Sequence, residues 1–146
     1  MLAVNLEAPL VLAQCFARAF RSAGGLPRRG KIVNLCSLLS ERARPTVPAY
    51  AASKTGLLGL TRALAVEWAA RGINVNALGP GYFRTELTAP LVADARFKAW
   101  VEERAPLGRW GRPADLVGAA VFLASGASDF ITGQILFVDG GWTAAL

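Results

Sequence analysis

Apolar positions along this chain follow two alternating rhythms, one that suits a helix face and one that suits a strand covered on both sides. Residues 5–23 carry helical spacing, with Pro9 tolerable in the first turn, and "GGLPRRG" (24–30) reads as a loop. "KIVNLCS" (31–37) is a short β-branched run and predicts a strand buried on both faces. After the loop "LLSERARPTVP", a helix is expected over 49–71, stopping at Gly72. "INVNALG" (73–79) predicts a second strand, closed by the breaker "GPG". Residues 83–105 read as an irregular helical excursion rich in Phe, Trp and Arg. Pro113 and Asp115 then start a helix to about 124, and "QILFVDGG" (134–141) is a third strand ending in a glycine pair. Strands separated by helices of this length predict an α/β fold, a parallel sheet with helices on both faces.

Two of these helices are short of polar surface. The 49–71 helix is charged only at Lys54, Arg62, Glu67 and Arg71, and it carries small residues from Ala51 to Gly59. A helix apolar almost all round must be covered on more than its sheet side. The helix at 5–23 is similar, so the pair is expected to form a subunit interface in a homodimer or homotetramer.

Composition sharpens that expectation. Hydrophobic residues make up 53% of the 146 and charged residues 18%, where about a quarter charged is usual. The longest charge-free apolar runs, such as Leu116 to Ser128, fall short of the ~18–20 residues that a membrane span needs. No signal peptide is indicated at the N-terminus. Cys15 and Cys36 lie in apolar patterns and fit a reduced, cytoplasmic protein. The net charge is +6, but the arginines are scattered without interleaved aromatic residues, so a solvated basic surface explains them better than nucleic-acid binding.

Tyr50 and Lys54 sit four apart, hence on one face of the 49–71 helix. A phenol with an ordinary pKa near ~10 is a poor proton shuttle, and a neighbouring ammonium favours its phenolate form. The spacing alone arises by chance in roughly one chain in four of this length, and an exposed Lys beside a Tyr at a helix start explains it equally. Its surroundings change the odds. Ser37 stands at the end of the first strand, where open parallel sheets bind ligands. The second strand ends in "GPGYFRT", where Gly79, Pro80 and Gly81 let the backbone pass close to a ligand. Strand punctuation and a plain turn are the simpler explanations of each, but their coincidence at one sheet edge is not.

"IVNLCSLLS", "YAASK", "GINVNALGPGYFRTEL" and "LFVDGGW" stand here in an order and spacing that resemble the short-chain dehydrogenase/reductase family over essentially the whole chain. The resemblance implies that Tyr50 gives or takes the proton at a carbonyl or alcohol oxygen, and that Lys54 supports the phenolate and holds the nicotinamide ribose. It implies that Ser37 orients the substrate oxygen and that Asn5, in "VNLEAP", supports a relay water; a helix N-cap explains Asn5 almost as well. Pro80, Gly81, Phe83 and Thr85, with Tyr50 and Lys54, match residues that seat the nicotinamide end of NAD or NADP. The reaction would be direct hydride transfer to or from a small alcohol or ketone, with no metal.

The segments "PGYFRTEL" and from "FKAWVEERAPLGRW" onward most resemble gluconate 5-dehydrogenases, implying a sugar acid as substrate. Any of Arg84, Arg104 and Arg109 has the guanidinium fork to meet its carboxylate, although arginines so placed are more often surface or interface charges. A 3-oxoacyl-carrier-protein reductase shares the active-site pattern. Family members open with a dinucleotide-binding half built on a Gly-rich turn, and no G-x-x-x-G-x-G precedes the catalytic part here. Residues 1–146 are therefore expected to be one partial domain, the C-terminal part of a doubly wound Rossmann-like sheet with an apolar strand edge open beside 31–37. The segment that selects NAD or NADP is absent, and a non-catalytic assembly module is the other reading.

Overall fold

The computed structural model describes residues 1–24 and 29–145. Three parallel strands lie in the order β1-β2-β3: β1 Gly30–Leu35, β2 Ile73–Pro80 and β3 Ile135–Val138. The helices are α1 Ala8–Ser22, α2 Pro48–Trp68, α3 Ala89–Ala93, α4 Ala95–Arg104 and α5 Ala114–Ala124. Residues 25–28 of the expected loop lie outside the described residues.

β2 is central and buried from Ile73 to Gly79. Side chains alternate across a strand, so Ile73, Val75 and Ala77 share one face. There Ile73 and Val75 join Ala13 of α1 and Leu64, Ala65 and Trp68 of α2 in one core cluster, and Ala77 joins Leu57, Leu58 and Cys36 in a second. The alternate positions Asn74 and Asn76 are buried too, and they place the chain that enters β3. Asn74 Nδ2 donates to the carbonyls of Asp129 (3.0 Å) and Ile131 (2.8 Å), while Asn76 donates to Ile131 and accepts from Gln134 N. That anchoring sets β3 in register, Ala77 opposite Ile135 and Pro80 opposite Val138. α5 contacts all three strands. The parallel α/β architecture read from the sequence is the observed one.

Element ends differ from the expectations for local reasons. β1 stops at Leu35 rather than running to 37, because Ser37 caps a tight 3-10 turn at Leu38–Ser40. β3 stops at Val138 because Asp139 to Gly141 form a turn, with Gly140 and Gly141 at φ 68° and 89°, where a side chain is disfavoured. The second helix ends at Trp68 in a 3-10 turn closed by Gly72 at φ 77°, a left-handed glycine cap. The excursion at 83–105 contains α3 and α4, the latter capped by Asp94, whose carboxylate accepts from Arg96 N and Phe97 N.

Among the described residues β1 pairs with β2 alone, so the open apolar edge expected beside 31–37 is present. Val4, Leu12 and Leu35 beside it are exposed at 72%, 68% and 57%. Among the described residues no helix is long and apolar enough to cross a membrane.

Candidate active site

Pro48 starts α2, its fixed φ suiting the first helical turn, and this sets Tyr50 and Lys54 one turn apart, with Lys54 at the carboxyl end of β1. Lys54 Nζ lies 5.8 Å from the centre of the Tyr50 ring and donates to the carbonyl of Leu35 at 2.7 Å. Burial holds the Lys54 ammonium below its ordinary pKa, against a smaller opposing pull from Cys36. The Tyr50 hydroxyl has no hydrogen-bond partner among the described residues.

Asn5 is not an N-cap. It lies inside a π-helical turn, Ala3–Glu7, that leads into α1, the kind of helix irregularity that often sits at functional sites. Its Nδ2 donates to Ser53 Oγ (3.0 Å), which donates to the Tyr50 carbonyl (2.7 Å). Asn5 thereby clamps the π turn to the first turn of α2, with Leu6 packed over Gly56.

Ser37 lies two residues past the end of β1. Its Oγ accepts from Leu39 N (3.1 Å), and its own N–H donates to Ser40 Oγ (3.3 Å). A hydroxyl that accepts from the backbone still has its O–H to give, so this capping box leaves Ser37 oriented with a donor to spare. Cys36, between β1 and Ser37, is buried, and that burial pushes its thiol pKa up despite the hydrogen bond with Ser40 and the nearby Lys54 and Arg62 charges.

The "GPGYFRT" segment does more for the protein's own packing than its glycines suggest. A Cβ on Gly79 would meet the Phe137 ring at 2.5 Å, and one on Gly81 would meet Asp139 Cα at 2.8 Å. The close approach is to β3 and the turn after it. Phe83 is buried, its ring against Gly111, and it forms a bridge with Gly111. Thr85 is exposed and shares reciprocal bonds with Thr88, which fasten the turn into α3. Pro80 is half-buried at the end of β2.

Two clefts adjoin the end of β1 and the loop after it. One, about 420 Å³, runs along the open edge of β1 and takes in Asn5, Asn34, Leu35 and Lys54. The other, about 960 Å³, lies between the loop after Ser37 and the excursion, walled by Leu38, Leu39, Tyr82, Trp100 and Trp142. Tyr82 is the hub of its aromatic wall, with ring centres of Phe97, Trp100, Trp110 and Trp142 between 5.0 and 5.9 Å away. Burial raises the Tyr82 phenol pKa, with Arg44 opposing, and the Tyr50 phenol lies close enough to add to the rise.

Of the three arginines singled out for a carboxylate, the structure brings only Arg104 to this cleft. Arg84 pairs with Glu102 (3.7 Å), and Arg109 is held by Asp115 (2.7 Å) and the Trp110 carbonyl at the start of α5. Arg42 and Arg44, from "SERARP", line the cleft instead. Sequence reading took them for scattered surface charge; their place directly after the strand-end serine was the available signal. Asp139 was missed as well. Its carboxylate accepts from Gly141 N, Thr143 N and Thr143 Oγ1, while Arg42 Nη2 donates to the Thr143 carbonyl (3.1 Å). The last turn is thus tied to the loop after Ser37.

A family model described as Enoyl-(Acyl carrier protein) reductase matches residues 1–143. The chain is 48% identical over 147 residues to the gluconate 5-dehydrogenase of Gluconobacter oxydans, covering 100% of this chain and 56% of that protein. It is 46% identical over 141 residues to the 2-dehydro-3-deoxy-D-gluconate 5-dehydrogenase of Escherichia coli, 97% of this chain and 54% of that one. Among solved structures, it resembles a gluconate 5-dehydrogenase from Burkholderia cenocepacia in complex with NADP and tartrate, with TM-score 0.92 and 51% identity over 98% of this chain and 55% of that one. The chain therefore spans about half the length of the curated relatives it matches.

Proposed function

The chain belongs to the short-chain dehydrogenase/reductase family, and from that premise we propose that it carries the proton-transfer part of an NAD(P)-dependent oxidoreductase acting on a CH–OH or ketone group of a sugar acid. The observation that carries the reading is Lys54, beside the Tyr50 ring on α2 and bonded to the last carbonyl of β1, two residues before a Ser37 hydroxyl free to donate. In open parallel sheets ligands bind at that end of the strands.

Ser37 Oγ–H would donate to the substrate oxygen and hold it toward Tyr50. Tyr50 would give a proton to that oxygen in reduction and take it in oxidation, with the Lys54 ammonium favouring the phenolate. Lys54 spends one N–H on Leu35 and has two more for ribose hydroxyls. Pro80, Gly81 and Thr85 would border the nicotinamide, and Phe83, whose ring is turned to Gly111, would contribute backbone alone. When bound, the nicotinamide supplies or accepts the hydride at the substrate carbon. Asn5 would position the start of α2 through Ser53 and, through the irregular π turn, a relay water. These residues fit the nicotinamide end of the cofactor, while a Gly-rich turn for its pyrophosphate is not among the 146. NADP stands bound in the Burkholderia relative, and either NAD or NADP suits the residues here.

A gluconate or 5-ketogluconate substrate is favoured by the relatives' names and by the arginines in the larger cleft. A 3-oxoacyl-carrier-protein substrate would need an apolar channel there instead. The test is a chimera joining these residues to the remaining length of the Gluconobacter relative. It should interconvert gluconate and 5-ketogluconate, and Tyr50→Phe should lower turnover by about 10²–10⁴-fold. No turnover of either sugar acid, or full activity without the Tyr50 hydroxyl, would sink the reading. The 146 residues alone should bind NAD(P)H weakly at best; micromolar binding by calorimetry would contradict this.

Assembly into a homodimer or homotetramer through α1 and α2 is part of the proposal, as is a cytoplasmic setting with both cysteines free. Its support is the exposure of Val11 and Val66 on those helices, at 54% and 83%. Sedimentation as a well-behaved monomer would count against it.

A further inference from the structure

The larger cleft holds an imbalance of charge. Arg42, Arg44 and Arg104 line it with a single acid, Glu103. Arg42 is committed to the Thr143 carbonyl. Arg44 is half-committed: Nη1 donates to the Pro45 carbonyl (3.3 Å) and Thr46 Oγ1 (3.1 Å), its guanidinium lies 5.5 Å from the Phe97 ring centre, and its buried Nε–H has no partner. Buried donors are nearly always paired, so an unpaired one at the wall of a cleft marks a place where an acceptor is expected. Arg104 lies 5.6 Å from the Trp100 ring centre and has no carboxylate within ion-pair reach among the described residues. The pairing of Arg84 and Arg109 elsewhere makes these two stand out.

The backbone of this loop is also held under tension. Thr46 has φ 77°, a conformation that β-branched residues avoid, and its hydroxyl is one of the two groups holding Arg44 Nη1. Tyr82, two residues past the end of β2, and Leu38, next to Ser37, both line this cleft. A ligand anchored by a terminal carboxylate at the arginines would lie against the wall formed by Tyr82, Leu38 and Leu39, next to Ser37.

We propose that Arg44 and Arg104 form the carboxylate subsite of this cleft, taking the acid end of a small hydroxy-acid substrate while its carbinol or ketone end reaches Tyr50. The inference rests on the sugar-acid reading for the identity of the substrate, but not for the existence of the subsite. Guanidinium forks match carboxylate geometry, and the aromatic wall lowers the local dielectric that would otherwise screen them.

The test is an NMR titration of the ¹⁵N-labelled chain, following arginine Nε–Hε cross-peaks with gluconate, with glucitol, which has the hydroxyls without the acid, and with lactate, at matched ionic strength. Gluconate and lactate should shift the Arg44 and Arg104 peaks together and leave those of Arg84 and Arg109 in place, and glucitol should shift none. Arg44→Gln and Arg104→Gln should each weaken gluconate binding about tenfold, the loss of one charge-assisted bond, with backbone amide spectra unchanged as the fold control. No shift at about 0.1 M gluconate, where even a millimolar site is saturated, overturns the subsite. So do equal shifts at all arginines, or unchanged affinity in both variants. If both acids bind through Arg44 and Arg104 while the chimera fails to turn over gluconate, the subsite stands and the sugar-acid reading falls. If the chimera turns over gluconate with both arginines replaced at no cost in KM, the reverse holds.

Discussion

Lys54 Nζ donates to the Leu35 carbonyl oxygen at 2.7 Å, so the second turn of α2 holds the last carbonyl of β1. The contact fastens α2 to the sheet edge and leaves the ammonium half out of water. Because burial lowers its pKa in the folded state, the unfolded chain binds that proton more tightly, and stability must rise with pH from the depressed folded value up to the ordinary 10.5. Urea midpoints measured across that alkaline window should climb for the natural chain, and Lys54→Met should remove this contribution to the climb. Identical pH slopes in the two proteins would show that Lys54 is not the source.

Asp115 has the opposite sign. Its carboxylate accepts from Arg109 Nη1 (2.7 Å) and from Arg112 N (2.8 Å), and these bonds hold its pKa down to about 2. The stability this gives is complete above the ordinary value of 3.8 and is lost as pH falls through about 2. A carboxyl-carbon NMR titration should place the Asp115 midpoint near that lower value, and Arg109→Gln should move it up toward the ordinary one. A midpoint that stays put in the variant would show that Arg109 is not its main support.

Gly81→Ala should cost about 1–3 kcal/mol, the usual range for overpacking, because the added carbon would meet Asp139 Cα at 2.8 Å. The same push would disturb the Asp139 bonds to Gly141 and Thr143, so hydrogen exchange should speed up in the last turn before it does in α1. Gly118→Ala, where nothing lies within 4 Å of the new carbon, is the matched control and should not be destabilising. Since alanine suits a helix interior better than glycine, an equal loss in both would show that contact with Asp139 does not set the cost.

The two thiols should separate cleanly. Cys36 is buried with its pKa raised by that burial, whereas Cys15 is exposed on α1. Since the thiolate is the reacting species, iodoacetamide at neutral pH should modify Cys15 in the monomeric folded chain, where α1 is uncovered, and reach Cys36 only on unfolding. Peptide mass mapping checks this, and rapid native alkylation of Cys36 would contradict the packing around Leu57 and Ala77.

The parallel sheet was legible from local pattern, β-branched runs and glycine stops. The roles expected of Ser37, Tyr50 and Lys54 and the open edge beside 31–37 rest instead on the family resemblance, because i to i+4 spacing alone does not separate chemistry from chance. Sequence reading misplaced Ser37 by two residues, since a capping box between Ser37 and Ser40 depends on hydroxyl contacts that hydropathy does not register. It gave no sign that Gly79 and Gly81 lie against Phe137 and Asp139, because close approach looks the same in a sequence whichever partner makes it. It chose Arg84 and Arg109 over Arg44 for a similar reason: whether an arginine is free depends on carboxylates brought in from another element, such as Glu102 and Asp115.

The tryptophans are split between two bodies of the molecule. Trp100, Trp110 and Trp142 crowd around Tyr82 at 5.9, 5.8 and 5.0 Å, while Trp68 sits in the core cluster with Ile73 and Val75. Ultraviolet-excited emission from this chain is therefore two spectra superimposed. Trp68→Phe would leave a protein that glows only from the aromatic cluster around Tyr82, so a stopped-flow trace could time movement of that cluster separately from melting of the sheet core around Trp68.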